Sequence, residues 1–161
     1  MKKFMTMTMA VMAFVVSMSS CSKDDDAPEV AVATQVAGSY SGNEVVMVMG
    51  DESSNETKTY SFTKATDTSV DMSIPEMGMG GMMTIPALPV KNIPLKKSGN
   101  AISGELASYA GSVTNADGAE KAFTITNLVV LIDGNDIAVT YSLKYGNMPM
   151  SMETTFIGTK R

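Results

Sequence analysis

Catalysis needs side chains that can move protons, attack carbonyls or hold metals, and this chain has few of them. Histidine is absent and Cys21 is the single cysteine. Ser-His and Cys-His pairs and histidine-based zinc sites are therefore unavailable, which removes most common hydrolases. Paired carboxylates could in principle act on a glycosidic bond from about 5 to 10 Å apart. The acidic residues Asp51, Glu52, Asp67, Asp117, Asp133 and Asp136, however, fall in turn-like stretches where solvation accounts for them. Methionine is the unusual resource. Ile74 to Pro86 carries Met77, Met79, Met82 and Met83 among three glycines, Met148-Pro149-Met150-Ser151-Met152 lies near the end, and Met47-Val48-Met49 repeats the Met-x-Met spacing. Thioethers are soft enough to hold Cu(I) without histidine. Methionine also fills irregular apolar space, and Met-x-Met on a strand puts both side chains on one face. Six methionines in the first eighteen residues show that the enrichment is partly compositional. We read the methionines as apolar lining, with no metal, no cofactor and no catalytic residue.

Cys21 has its own context. Lys2 and Lys3 precede an apolar stretch from Phe4 to about Val16, and Met18-Ser19-Ser20 leads directly into the cysteine with no acidic residue before it. This is the layout of a secretory signal, shorter than the roughly 20 apolar residues of a spanning helix. The small pair ahead of cysteine resembles a lipobox, which implies cleavage before Cys21, a diacylglycerol thioether on its sulfur, and two or more acyl chains as a stable anchor. A lone cysteine also excludes an intramolecular disulfide. Ser22-Lys23-Asp24-Asp25-Asp26-Ala27-Pro28 follows, a solvated spacer by composition. Its acidic run resembles the export signal of Bacteroidetes surface lipoproteins, which implies the outer leaflet of the outer membrane as destination.

The expected organisation is a signal over 1–20, an acidic tether over 21–35 and one domain over 36–161. Cleavage leaves about 140 residues, enough for a single core, and the loss of Lys2 and Lys3 takes the net charge from −5 to −7. Scattered lysines, an acidic balance and no tryptophan exclude a nucleic-acid surface.

From Gly38 onward the apolar period is two. Val70, Met72 and Ile74 alternate with Ser69, Asp71 and Ser73, and Ile137, Val139, Tyr141, Leu143 and Tyr145 with polar or small neighbours. The same reading gives strands over 39–49, 57–64, 69–74, 83–95 with breaks, 101–108, 121–132, 136–145 and 150–159. Turn chemistry such as Asp133-Gly134-Asn135 and Ser98-Gly99-Asn100 separates them, with Gly50 to Asn55 read as a longer turn. No mature segment shows a helical stripe. Pro75, Pro86, Pro89 and Pro94 mark an edge, bulge or irregular crossing. Eight local strands favour a closed, mostly up-and-down antiparallel β-barrel, whose lumen can be packed or can hold one small ligand.

The opening Val36-Ala37-Gly38-Ser39-Tyr40-Ser41-Gly42 and the closing Thr155-Phe156-Ile157-Gly158-Thr159-Lys160 resemble the calycin-like barrel domains of small Bacteroidetes lipoproteins. Tyr40 takes the aromatic place of the lipocalin Gly-x-Trp signature, and the lack of tryptophan sets the chain apart from typical lipocalins. The resemblance implies a lipocalin-like barrel, with binding of a small ligand known from the wider superfamily. The lumen set expected from alternation and the methionine clusters is Tyr40, Tyr60, Phe62, Met72, Met77, Met79, Met82, Phe123, Tyr141, Met150, Met152 and Phe156. Few large rings suggest space at one end, near Met77 to Met83, for an apolar ligand. The alternative is a non-catalytic interaction or structural module whose own side chains fill the barrel. Cys21→Ala is expected to stop cleavage and abolish labelling by a palmitate analogue, and labelling that persists in this variant rules out the lipid.

Overall fold

Alternating segments become strands because a period of two presents one apolar face to a common interior. The structure, a computed structural model, describes residues 30–79 and 83–161. It contains the short helix α1 (Val32–Val36) and ten strands: β1 (Gly38–Val48), β2 (Asp51–Thr66), β3 (Ser69–Ile74), β4 (Met77–Met79), β5 (Met83–Ile85), β6 (Leu88–Ser98), β7 (Ala101–Thr114), β8 (Glu120–Asp133), β9 (Asp136–Tyr145) and β10 (Met152–Lys160). Eight of them close into a barrel in which β1, β2, β3, β6, β7, β8, β9 and β10 are successive neighbours and β10 pairs back onto β1. Every pairing is antiparallel. This is the up-and-down eight-stranded barrel that the alternation implies. β4 and β5 form a separate two-stranded hairpin inserted between β3 and β6, within the proline-marked region.

The tight connections use backbone conformations that glycine and asparagine tolerate. Met49 and Gly50 turn β1 into β2 with φ of 54° and 89°, while Gly99 and Gly134 sit at 61° and 59° in the β6–β7 and β8–β9 turns. Asn92 and Asn127, at 56° and 54°, stand at the two irregularities where β6 and β8 carry extra residues against β3 and β9. The first bulge is pinned from β3: Asp71 accepts the Asn92 N–H and the Lys91 ammonium, each at 2.9 Å.

Four expectations are corrected. Asp51 to Asn55 is strand, not turn, because Met49-Gly50 alone reverses the chain and β1 pairs with these polar residues through to Asp51. β7 continues to Thr114, past the expected end at Ser108, since β8 supplies partners along its whole length. The last strand begins at Met152, which leaves the half-buried Met150 in the preceding turn. A helix does occur, with Val32 to Gln35 in the stretch read as tether and Val36 at the start of the domain. Five residues are too few to display a period in sequence, and α1 is held by tertiary contacts: Ala33 and Val36 are fully buried, and the Ala33 N–H donates to Asp67 O at 3.1 Å.

Two glycines set how closely the seam strands approach. Gly42 on β1 faces Gly158 on β10. A Cβ on Gly42 would lie 2.0 Å from the Ile157 carbonyl oxygen, and one on Gly158 would lie 2.6 Å from the tip of the Phe156 ring. Backbone cannot yield as a flexible side chain can. Gly42→Ala is expected to cost at least about 2 kcal/mol of stability, at the upper part of the overpacking range. Urea unfolding of the two proteins measures it, and an unchanged midpoint contradicts the packing described.

Candidate functional site

In a lipocalin-like barrel the candidate site is the lumen, so the residues inside it decide what it can do. The inward phases bring Tyr40, Tyr60, Phe62, Met72, Met77, Phe123, Tyr141, Met152 and Phe156 into one buried cluster. Met79 is half-buried and packs against that cluster, and Met150 lies outside the strands. Cys21 and Met82 lie outside the described residues.

The rings are arranged to fill space. Tyr60 stacks on Phe156 with centroids 4.2 Å apart, and Tyr40 meets Phe62 edge-on at 5.5 Å, both favourable aromatic geometries. Gly158 and Gly111 leave room that the Phe156 and Phe123 rings occupy. A side chain lining even a water-sized void keeps accessible surface, whereas Tyr40, Tyr60, Met152 and Phe156 keep 0% and Phe62, Met72 and Tyr141 keep 2%. Along these residues the lumen is packed by the protein itself.

Both ends carry added elements. At the end where the chain enters and leaves the barrel, α1 inserts Ala33 and Val36 into the core, the Tyr40 hydroxyl donates to Val36 O at 2.9 Å, and the Lys160 ammonium donates to Gln35 O at 2.8 Å. At the other end, hairpin β4–β5 contributes Met77 and Ile85 to the core, and Lys58 bridges to it by donating to Glu76 O at 2.9 Å while pairing with Glu56 at 2.7 Å.

Inside this apolar interior lies a polar line through Tyr60 and Tyr141, two of whose members, Glu44 and Thr154, are absent from the expected set. Glu44 is 1% exposed and accepts a hydrogen bond from the Tyr60 hydroxyl. The Tyr60 and Tyr141 hydroxyls are 2.9 Å apart. With Glu44 ionised, the single Tyr60 proton is committed to the carboxylate, so Tyr141 must donate to Tyr60. Thr154, the register neighbour of Tyr141 on β10, is also buried, and its hydroxyl has no hydrogen-bond partner of normal geometry. Burial raises both phenols far above their ordinary range, so neither ionises near neutrality. Burial also raises the Glu44 carboxyl, only partly offset by the Tyr60 hydrogen bond and the charge of Lys58. Glu44 was legible in the sequence: it shares the phase of Tyr40, Gly42, Val46 and Val48, and a charge on the inward phase is the signal.

Raised titration fixes a sign. Between the unfolded and the folded pKa of Glu44 the native state binds more protons, so its contribution to stability is fully present below the unfolded value and is lost as pH rises through the folded one. Glu44→Gln keeps the shape and the acceptor for Tyr60. Its stability relative to the parent is expected to rise with pH from the acid side toward neutrality, as read by denaturant midpoints across that range. A constant difference shows that Glu44 titrates normally.

An eight-stranded antiparallel meander closed on itself is the architecture of the calycin class of barrels. Residues 36–159 match the model of the calycin-like beta-barrel domain, and the chain belongs to that family. Among solved structures it is similar to a "putative outer membrane protein" of Bacteroides fragilis, with a TM-score of 0.63 and 18% identity over 81% of this chain. The chain spans about half of that protein's length, 53%. It also aligns with Rv2717c of Mycobacterium tuberculosis, with a TM-score of 0.49 and 13% identity over 85% of this chain and 99% of that one. No curated protein matches.

Proposed function

We propose that this protein is a non-catalytic module of the cell envelope, tethered to the outer membrane at the cell surface by a lipid on Cys21, and that it acts through its outer surface. The observation that carries this reading is the Tyr60–Phe156 stack in a lumen whose rings retain 0–2% exposure. A carrier keeps room for its cargo, and this interior is occupied. The signal-like N-terminus supports the location, as does the description carried by the Bacteroides fragilis structure.

Uptake of a small apolar ligand is the second reading. It is favoured by the unpartnered Thr154 hydroxyl inside the barrel and by Met79, Met83 and Met148 packed against the core. A ligand would have to displace rings already in van der Waals contact, at the cost of that packing. Titration of an environment-sensitive fluorescent fatty acid into the chain from Ser22 to Arg161 separates the two. We expect no saturable uptake by the native barrel. Phe156→Ala, which opens the lumen, should lose roughly 3–5 kcal/mol of stability. Saturable uptake by the native protein makes it a carrier and overturns the filled-barrel reading.

A further inference from the structure

The barrel wall is uneven between β6 and β7. β7 pairs with β8 in thirteen register pairs, Ala101 through Thr114, but with β6 in only four, Leu95 to Ser98 against Ala101 to Gly104. Beyond Gly104 the ladder stops, and a hollow of about 130 Å³ lined by Pro94, Lys96, Ser103 and Glu105 lies at its last pairs. Among the described residues nothing pairs with the outer edge of β7 from Glu105 to Thr114.

The two borders of this split differ in chemistry. On β6, Pro89 and Pro94 have no N–H, and the Asn92 N–H is taken by Asp71 at the bulge. Proline, lysine and bulges are how proteins blunt an edge, and β6 has all three. On β7, Glu105 to Thr114 contains no proline and no basic residue, and Glu105 is its only charge. That border is a ladder of unspent donors and acceptors. Its outward residues Ser108, Ala110, Ser112 and Thr114 are small and exposed, while Tyr109, Gly111 and Val113 point inward and are half-buried.

This sequence is complementary to itself. Two β7 edges laid antiparallel about a twofold axis through Gly111 place Ser108 opposite Thr114, Tyr109 opposite Val113 and Ala110 opposite Ser112, each residue facing one from the same side of the sheet. Tyr–Val is a favourable aromatic–β-branched pair, and no charge meets a like charge within these seven residues. An isologous contact of this kind closes as a dimer and does not propagate.

We infer that the free edge of β7 is a homodimer interface, taking the β7 strand of a second copy by edge-to-edge pairing. The inference rests on the surface-interaction reading for its purpose and on the strand pairing for its geometry. A seven-residue ladder is small beside the interface of about 1,600 Å² typical of stable complexes, so association is weak in dilute solution and gains from confinement of both copies on one membrane.

The test is disulfide trapping in the chain from Ser22 to Arg161, which contains the whole described core and lacks the native cysteine. An Ala110→Cys chain mixed with a Ser112→Cys chain at tenths of millimolar under mild oxidation should give at least several-fold more heterodimer than Ala110→Cys mixed with Thr140→Cys, an exposed site on β9. Ala110→Lys combined with Ser112→Lys puts lysines opposite each other in the dimer and should abolish concentration-dependent association in sedimentation, with the unfolding midpoint unchanged because both residues are exposed. Equal trapping at the β9 control, or a parent chain that stays monomeric at the same concentration, overturns the inference. Fatty-acid uptake tests the lumen alone, so the two readings fail separately.

Discussion

The pairing of the first strand with the last holds the rest of the molecule in place. Nine register pairs, Tyr40 with Lys160 through Val48 with Met152, convert a meander into a closed wall. Closure removes the edges of β1 and β10 and fixes the width of the lumen, which decides whether Tyr60 and Phe156 touch. It is also the pairing most distant in sequence. Each hairpin can form locally, but the seam brings together residues more than a hundred positions apart, so its loop entropy is paid only once the intervening strands are ordered. Gly42 and Gly158 face one another in that seam, and neither has room for a Cβ.

A carboxylate inside such a wall is costly, and the fold limits the cost without removing it. Tyr60 donates to Glu44 and stacks on Phe156, so one side chain both satisfies the charge and fills the lumen. Tyr141 then orients Tyr60. Removing Tyr60 would leave a buried acid without its donor and Phe156 without its stacking partner, two losses that do not add independently. The raised Glu44 carboxyl records what remains of the desolvation cost.

Much of the fold was legible because alternation at a period of two is a strong signal wherever one face is buried. β3 and β9 occupy the expected residues, Ser69 to Ile74 and Asp136 to Tyr145. Where the fold departs from expectation, tertiary context is the cause. Asp51 to Asn55 looks like a turn by composition and is strand because β1 provides a partner. α1 shows no period because it has five residues. Among candidate site residues the inward placement of the aromatic members follows from strand phase alone, and Glu44, a charge on the inward phase of β1, is legible by the same rule. Alternation does not report whether a lumen is full: Tyr60 and Phe156 point inward equally in an empty barrel, and only the distance between them separates the two cases.

The positions of the chain ends carry a mechanical consequence. β1 begins and β10 finishes at the same end of the barrel, where the Arg161 N–H donates to Ser39 O at 2.9 Å and the Tyr40 and Lys160 side chains each donate to a carbonyl of α1. Inter-strand hydrogen bonds in an antiparallel pair run perpendicular to the strands. Force applied between the two termini would therefore load the seam bonds one pair at a time, as a zipper, instead of all together in shear. A chain pulled only from its N-terminal side, with drag distributed over the barrel, passes that load through α1 and its contacts with β2 first. The Ala33–Asp67 hydrogen bond and the burial of Val36 thus stand between a pull on the N-terminal segment and the seam, as a strain relief stands between a cable and its joint.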